Sequence, residues 1–218
     1  MEILKAEVTI PTNDIHLNGI LQVPKNAMGI VIFAHGSGSG RFSERNQFVA
    51  SVLNEANIAT LLFDLLTMEE EAVDDVTREH RFNIQLLSNR LIAATDWILQ
   101  QDITLKLPIG YFGASTGGGA ALSAAAQEQN IIKAVVSRGG RVDLAGSSLT
   151  HLTVPTLLIV GGNDEIVIEL NQSAMKQMSC ITELEIIPGA THLFEEPGTL
   201  DEVSQLARDW FFKYFQLV

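Results

Sequence analysis

Residues 113–117 read Gly-Ala-Ser-Thr-Gly, a Gly-x-Ser-x-Gly pentapeptide that can present the hydroxyl of Ser115 as a nucleophile. The pentapeptide alone is a weak signal, because glycine and serine are common. Here an apolar segment, 107–112, precedes it and an alanine-rich segment follows it, which predicts a strand, a tight turn and a helix. Glycines in the turn remove side chains that would clash there. We therefore predict a nucleophilic serine, with an inert serine in a glycine-rich turn as the alternative.

A serine hydroxyl is a poor nucleophile at neutral pH, and it needs a base that is itself oriented by an acid. Of the five histidines, His192 follows the last predicted strand and is the predicted base. Asp164 follows the strand predicted over 156–160 and is the predicted acid, with a helix N-cap or turn residue as its structural alternative. Asp143 is the second choice for the acid. The chain order of serine, aspartate and histidine favours this assignment.

A glycine-rich loop follows the third predicted strand and can supply a backbone N–H group to the same site. We predict that the N–H groups of Thr116 and Ser37 stabilise a tetrahedral oxyanion, with Gly36 or Gly38 as alternatives to Ser37. A phosphate-binding loop is the competing interpretation. The Lys-Ser/Thr ending of such a loop is missing, and the glycine spacing does not fit a dinucleotide site. We predict no cofactor and no bound metal.

Arginines near the predicted site are candidates for binding a substrate carboxylate. Arg138 follows the strand predicted over 131–136, and Arg41 and Arg45 follow the glycine-rich loop. A guanidinium group binds a carboxylate through two parallel hydrogen bonds. We take Arg138 and Arg41 as the candidate substrate-binding residues. The alternative for Arg138 is a structural ion pair with one of three nearby acidic residues, Glu195, Glu196 or Asp164.

These residues must be positioned by alternating strands and helices. Apolar and β-branched runs predict strands over 3–10, 15–23, 29–34, 58–63, 107–112, 131–136, 156–160 and 183–187. Helical patterns occupy 41–56, 81–100, 115–129, 166–178 and 200–215. This alternation indicates an α/β fold with a mostly parallel sheet that is covered on both faces, and ligands bind such sheets at the carboxyl ends of the strands. The acidic segment 67–80 lacks clear periodicity, and we predict a mobile surface loop with one helical turn, or a flap over the site.

The overall composition limits the possible partners and domains. A length of 218 residues fits a single domain over 1–218, and a formal net charge of -12 argues against binding to nucleic acid or an anionic membrane. Cys180 is the only cysteine, so no internal disulfide or zinc site is expected. The first residues lack the pattern of a signal peptide, and we expect a cytoplasmic protein.

The chain resembles the α/β-hydrolases, and within them the small dienelactone-hydrolase-like group. The resemblance covers nearly the whole chain and is carried by the motifs at 35–36, 113–117, 162–164 and 191–192. It implies a three-layer fold with an eight-stranded sheet, antiparallel only at its first strands, and a triad of Ser115, Asp164 and His192. Dienelactone hydrolases proper have a cysteine nucleophile where this chain has serine. The short connection between residues 138 and 156 leaves no room for a large cap domain.

The motifs and the resemblance together predict a serine hydrolase that cleaves a small carboxylic ester or lactone through an acyl-serine intermediate. The alternatives are a thioesterase or peptidase on the same triad, or a catalytically silent scaffold that binds a ligand or a protein. The aromatic segment 210–215 is expected to pack against the sheet, with a homodimer contact as the alternative.

Overall fold

The structure is a computed structural model that describes residues 2–12 and 15–217. In those residues eight strands form one sheet: β1 (Ile3–Thr12), β2 (Ile15–Pro24), β3 (Ile30–Ala34), β4 (Ala59–Phe63), β5 (Ile109–Ala114), β6 (Ile132–Arg138), β7 (Thr156–Gly161) and β8 (Thr182–Ile187). Their order across the sheet is β1-β2-β4-β3-β5-β6-β7-β8. β1 pairs antiparallel with β2 and β2 pairs antiparallel with β4, whereas every pair among β3 to β8 is parallel.

Helices cover both faces of this sheet. Within the same described ranges they are α1 (Glu44–Glu55), α2 (Met68–Thr77), α3 (Ile84–Ile98), α4 (Thr116–Gln127), α5 (Glu165–Met175) and α6 (Thr199–Phe215). Buried Ile30 and Ile32 of β3 belong to a hydrophobic cluster with α3 and α4. Val31 and Phe33, which point to the opposite face, belong to a cluster with α1 and α6. The predicted three-layer α/β architecture, with its mostly parallel eight-stranded sheet, is confirmed.

The connection between β6 and β7 holds only short 3₁₀-helical turns within Val142–Thr150, interrupted by a kink at Gly146. This agrees with the expectation that no large cap domain is inserted there. In the part of the chain that the structure describes, no helix is long and apolar enough to cross a membrane.

The prediction of a mobile loop over 67–80 is wrong, because α2 occupies most of that segment. Thr67 caps the helix: its hydroxyl accepts from the N–H of Glu70 at 3.2 Å, and the Glu70 carboxylate accepts from the N–H of Thr67 at 2.9 Å. Arg90 on α3 donates to both Glu70 oxygens, at 2.7 and 2.6 Å, and these hydrogen bonds lower the pKa of Glu70. Asp74 accepts a further hydrogen bond from Nε of Arg81 at 2.6 Å. Polar contacts therefore hold this helix, rather than an apolar face.

The aromatic end of α6 packs against the sheet, as one of the two interpretations of segment 210–215 expected. Phe211 and Phe215 are buried. They lie over glycines of the sheet region: a Cβ on Gly110 would come within 2.6 Å of Phe211, and a Cβ on Gly29 would come within 2.1 Å of Phe215. The glycines therefore leave space for these two rings, whereas Phe212 is 43% exposed.

Candidate active site

The carboxyl ends of β3, β5, β6, β7 and β8 meet at one edge of the sheet, because these strands are parallel. The loops that leave this edge carry the predicted site residues. Ser115 follows β5, Asp164 follows β7 and His192 follows β8, while Arg138 is the last residue of β6. The glycine-rich loop follows β3. The topology thus collects in one place groups that are far apart in the sequence.

Ser115 sits in a tight turn between β5 and α4. Its backbone has φ of 51° and ψ of −122°, a conformation that non-glycine residues rarely adopt. The turn needs glycines on both sides. A Cβ on Gly113 would lie 2.5 Å from the carbonyl oxygen of Gly117, and a Cβ on Gly117 would lie 2.1 Å from the carbonyl oxygen of Ala34. The glycines of the pentapeptide therefore allow β5, α4 and the end of β3 to approach closely.

Ser115, His192 and Asp164 form a hydrogen-bonded chain. Nε2 of His192 lies 3.3 Å from Oγ of Ser115, and Nδ1 lies 2.6 Å from Oδ2 of Asp164. The carboxylate accepts a hydrogen bond from Nδ1–H, which leaves the lone pair of Nε2 directed toward the serine hydroxyl. The arrangement can therefore move a proton from Oγ to the imidazole while the carboxylate stabilises the imidazolium.

The loops that carry the acid and the base are tied to each other. The backbone N–H of Asn163 donates to the carbonyl of Ala190 at 2.9 Å, and its side-chain amide donates to the carbonyl of Gly189 at 2.9 Å. Asp164 occupies the N-cap position of α5, but its side chain makes no hydrogen bond to the helix. The carboxylate is instead directed to His192. The second candidate acid, Asp143, accepts two hydrogen bonds from Arg141, at 2.9 and 2.8 Å.

The glycine-rich loop lies beside the turn that carries Ser115. Oγ of Ser37 and Oγ1 of Thr116 are 3.1 Å apart, and a Cβ on Gly36 would come within 3.0 Å of the Cβ of Ser115. The structure thus places Ser37 and Gly36 next to the start of α4, where the first backbone N–H groups have no partner within the helix. Gly38, the third candidate donor, has a φ of 65°.

Buried His35 fixes the start of this loop. Its Nδ1–H donates to the carbonyl of Gly36 at 2.9 Å, and its Nε2 accepts from the N–H of Leu65 at 2.8 Å. One ring nitrogen can donate while the other accepts only when the imidazole is neutral. Burial favours this neutral form and lowers the pKa of His35. The histidine therefore joins the loops that follow β3 and β4.

The two candidate substrate-binding arginines lie in different surroundings. Arg41 is paired with Asp64. Its backbone N–H donates to the Asp64 carboxylate at 2.8 Å, and its guanidinium group donates to the same carboxylate. Arg138 lines the cleft of about 180 Å³ that Ser115 and His192 also line. The structure therefore brings Arg138, but not Arg41, into the cleft of the candidate nucleophile.

The expected ion pair of Arg138 is absent from the described residues, so that structural alternative is wrong. Of the three proposed partners, Glu195 lies 3.6 Å from Arg45 and Asp164 contacts His192. Glu196 accepts from the N–H of Thr191 at 3.1 Å. Each carboxylate is thus engaged elsewhere.

Sequence reasoning missed Asn46, a buried side chain of α1 that also lines this cleft. No local pattern distinguishes it, because it lies one residue after Arg45 in an ordinary amphipathic helix. Across residues 2–12 and 15–217 no three His, Cys, Asp or Glu side chains are grouped so that they could hold a metal ion.

Comparisons with known proteins agree with this architecture. A family model described as an alpha/beta hydrolase domain matches residues 27–207. The crystal structure of a dienelactone hydrolase from Anabaena variabilis has 54% sequence identity and a TM-score of 0.96, and the match covers 98% of this chain and 99% of that chain. Est1E from Butyrivibrio proteoclasticus has the same fold at 21% identity, with a TM-score of 0.80 over 96% of this chain and 99% of that one.

Two proteins from Mycobacterium tuberculosis that carry the name "Putative phosphoribosyl transferase" are 56% identical to this chain over 205 residues. The match takes in 94% of this chain but 45% of those proteins. The chain therefore spans less than half the length of these relatives, and their name describes a longer protein.

Proposed function

This chain belongs to the alpha/beta hydrolase family, and we propose that it is a serine hydrolase that cleaves a carboxylic ester or lactone of a small substrate. The observation that carries the proposal is the hydrogen-bonded chain from Ser115 through His192 to Asp164, with distances of 3.3 and 2.6 Å. It starts at a serine whose strained backbone is held at the edge of the sheet where ligands bind.

In the first half of the reaction the acyl group passes to the enzyme. Oγ of Ser115 attacks the carbonyl carbon, and its proton moves to Nε2 of His192. The bond between the carbonyl carbon and the alcohol oxygen then breaks, and Nε2 returns the proton to that oxygen. The products are an acyl-serine and an alcohol, which stays attached to the acyl group when the substrate is a lactone.

In the second half, water releases the acyl group. A water molecule gives a proton to Nε2 of His192 while its oxygen attacks the acyl carbon. The bond from that carbon to Oγ of Ser115 breaks, and Oγ recovers the proton from Nε2. The carboxylic acid leaves, and the enzyme returns to its starting state.

The negative oxygen of both tetrahedral intermediates needs hydrogen-bond donors. The N–H of Thr116, at the start of α4, and the N–H of Ser37 are the proposed pair, with Gly36 or Gly38 as the alternative to Ser37. The contact of 3.1 Å between the hydroxyls of Ser37 and Thr116 supports the first pair, because it holds the two residues side by side. One such donor contributes about 100- to 1000-fold to kcat in enzymes of this chemistry.

Labelling with a fluorophosphonate probe tests whether the serine is reactive. Phosphorus of the probe forms a bond to Oγ and releases fluoride, so labelling needs an activated serine. We expect one labelled peptide, containing Ser115, in the wild-type protein and in a Ser123→Ala control, and none in Ser115→Ala. A folded wild-type protein that takes no label would refute the proposal in favour of a silent binding scaffold.

A substrate panel then distinguishes the ester hydrolase from the other enzymes that use this chemistry. We expect hydrolysis of p-nitrophenyl esters of short acids and of small lactones, with a burst of p-nitrophenol that equals the concentration of labelled serine. Turnover of thioesters or peptides alone, with no turnover of esters or lactones, would assign the chain to a thioesterase or a peptidase instead.

A further inference from the structure

We propose that Arg138 forms an anion subsite in the cleft of Ser115, and that the substrate carries an oxyanionic group, a carboxylate or a phosphate, that binds there. The inference rests on the proposed function, because it places the bound anion in the same molecule as the ester. It goes further in that it defines the chemical class of the substrate.

The side chain of Arg138 is buried, and two of its three nitrogen atoms have no hydrogen-bonding partner in the described part of the chain. The residue is 7% exposed, and its Nε and Nη1 atoms have no acceptor among the described residues. A guanidinium group has five N–H donors and keeps its charge in proteins. Buried charges are ordinarily paired, since an unpaired one loses its hydration without compensation. A buried arginine with free N–H donors is therefore suited to bind the anionic group of a ligand.

Among the residues that the structure describes, no carboxylate forms an ion pair with Arg138. The ring of Phe194 is the aromatic contact of Arg138, with its centroid 6.0 Å from the guanidinium carbon, at the outer limit of a cation–π interaction. Burial and, to a smaller extent, the positive charge of Arg45 together lower the pKa of Arg138 to about 10. Arg45 thus adds a second positive charge near Arg138, although the chain as a whole has a net charge of -12.

Two more residues make the same cleft suitable for an anion. Arg45 lines it, and its Nε atom is also buried without a partner in the described part of the chain. Its Nη1 reaches Glu195 only at 3.6 Å, at the rim. Asn46 is buried and lines the cleft as well. Its amide can serve an oxyanion as a donor.

The subsite is adjacent to the candidate nucleophile. Arg138 pairs with Ala114 across β5 and β6, and its carbonyl accepts from the backbone N–H of Ser115 at 3.2 Å. The two side chains share one cleft of about 180 Å³. A small substrate can therefore place its anionic group at Arg138 and its ester carbonyl at Ser115 at the same time.

Arg138→Met tests the subsite, because methionine fills similar space without charge. We compare p-nitrophenyl acetate, which is neutral, with p-nitrophenyl hemisuccinate, which carries a carboxylate, and with a matched ester that carries a phosphate. The loss of charge-assisted hydrogen bonds should lower kcat/KM for the preferred anionic ester by about 10- to 100-fold. Turnover of the neutral ester should change by less than about threefold, because this ester has no anionic group for Arg138 to bind. Arg208→Met, at a surface arginine of α6 that pairs with Asp209, is the control and should leave all three esters unchanged.

The comparison between the two anionic esters also identifies the anion. A selective loss on the hemisuccinate assigns the subsite to carboxylates, and a selective loss on the phosphate ester assigns it to phosphates. Equal losses on the neutral and anionic esters would overturn the proposal, as would no loss on either anionic ester. Arg138→Lys should recover part of the selective loss, because lysine restores the charge without the two parallel hydrogen bonds.

A binding measurement separates this proposal from the proposed function. Succinate or inorganic phosphate should raise the Tm of the wild-type protein and of Ser115→Ala, but not of Arg138→Met. If the fluorophosphonate probe fails to label Ser115 and the anion still stabilises the protein through Arg138, the hydrolase assignment fails and the anion subsite stands. If Ser115 is labelled and neither anion raises the Tm, the subsite is refuted and the hydrolase assignment stands.

Discussion

Replacing Ser115 by glycine should stabilise the fold relative to replacing it by alanine. Both variants lose the hydroxyl and its contact of 3.3 Å with His192, so this loss cancels in the comparison. Alanine keeps a Cβ at a position with φ of 51° and ψ of −122°, whereas glycine adopts this conformation without strain. The difference between the two variants therefore measures the backbone strain that the native serine carries.

The size of the effect follows from two opposing contributions. A non-glycine residue in a sparsely populated backbone region costs about 1–3 kcal/mol. Glycine loses more backbone entropy on folding, which offsets about 0.5–1 kcal/mol of the gain. The glycine variant should therefore unfold with a free energy about 1 kcal/mol higher than that of the alanine variant, which corresponds to a Tm about 2–4 °C higher for a chain of this length.

The assay is urea unfolding of both variants, followed by circular dichroism, with thermal unfolding as a second measurement. The control pair is Ser173→Gly and Ser173→Ala, at an exposed position of α5. In a helix the order should be reversed, with the glycine variant less stable by about 1 kcal/mol. A glycine variant at 115 that is equal to or less stable than the alanine variant would refute the claim that the turn is strained.

Two further predictions concern the acid and the glycine-rich loop. Asp164→Asn should reduce kcat by about 1000- to 10,000-fold at unchanged Tm. The asparagine amide would donate a hydrogen bond to Nδ1 of His192, so the ring proton would move to Nε2, and Nε2 could then no longer accept the proton of the Ser115 hydroxyl. A loss of less than tenfold in steady-state kinetics would contradict this role. For His35, burial holds the pKa below its ordinary value, so the unfolded chain takes up a proton first as the pH falls. The stability due to neutral His35 is therefore complete above about pH 6.5 and is lost as the pH falls toward the lower folded-state pKa. Urea unfolding at pH 7.5 and 5.5 should show a smaller pH effect in His35→Gln than in the wild-type protein, and equal pH effects would disprove it.

The sequence was sufficient to predict those elements that bury apolar surface. Strands such as β3 and β4 are buried at every position, so they appear as continuous apolar runs. The position of Ser115 was predictable for a local reason, since a strand, a glycine turn and a small-residue helix are contiguous in the chain. His192 and Asp164 could be proposed because parallel strands bring their carboxyl ends to one edge.

The segment 67–80 was not predictable by the same reasoning. Only Asp74 of α2 is buried, so the helix has no apolar stripe from which a period could be read. Its start carries a capping box, Thr67 with Glu70, which is a local signal that could have located it. The contacts that hold it, from Arg81 to Asp74 and from Arg90 to Glu70, join residues whose proximity depends on tertiary packing.

The surroundings of Arg138 were predictable only in part. Its place at a strand end indicated the site region, but the nearby acidic residues suggested an ion pair that the fold does not make. Glu195 lies near Arg45 instead, and Asp164 is hydrogen-bonded to His192. Which carboxylate faces which arginine depends on side-chain directions in loops, and sequence spacing carries no information about those directions.

The two features that most clearly oppose stability occur in the same cleft. Ser115 has a strained backbone, and Arg138 is a buried charge without a partner among the described residues. Within the sheet the local rules hold: apolar residues fill both of its faces, and glycines lie where rings or backbone come close. Sequences usually satisfy such rules except where function requires otherwise. The proposed role of Ser115 as a nucleophile accounts for its strained backbone, but it gives no reason for a neighbouring arginine that has no partner among the described residues. The proposed anion subsite supplies that reason, because the bound substrate would bring the missing negative charge.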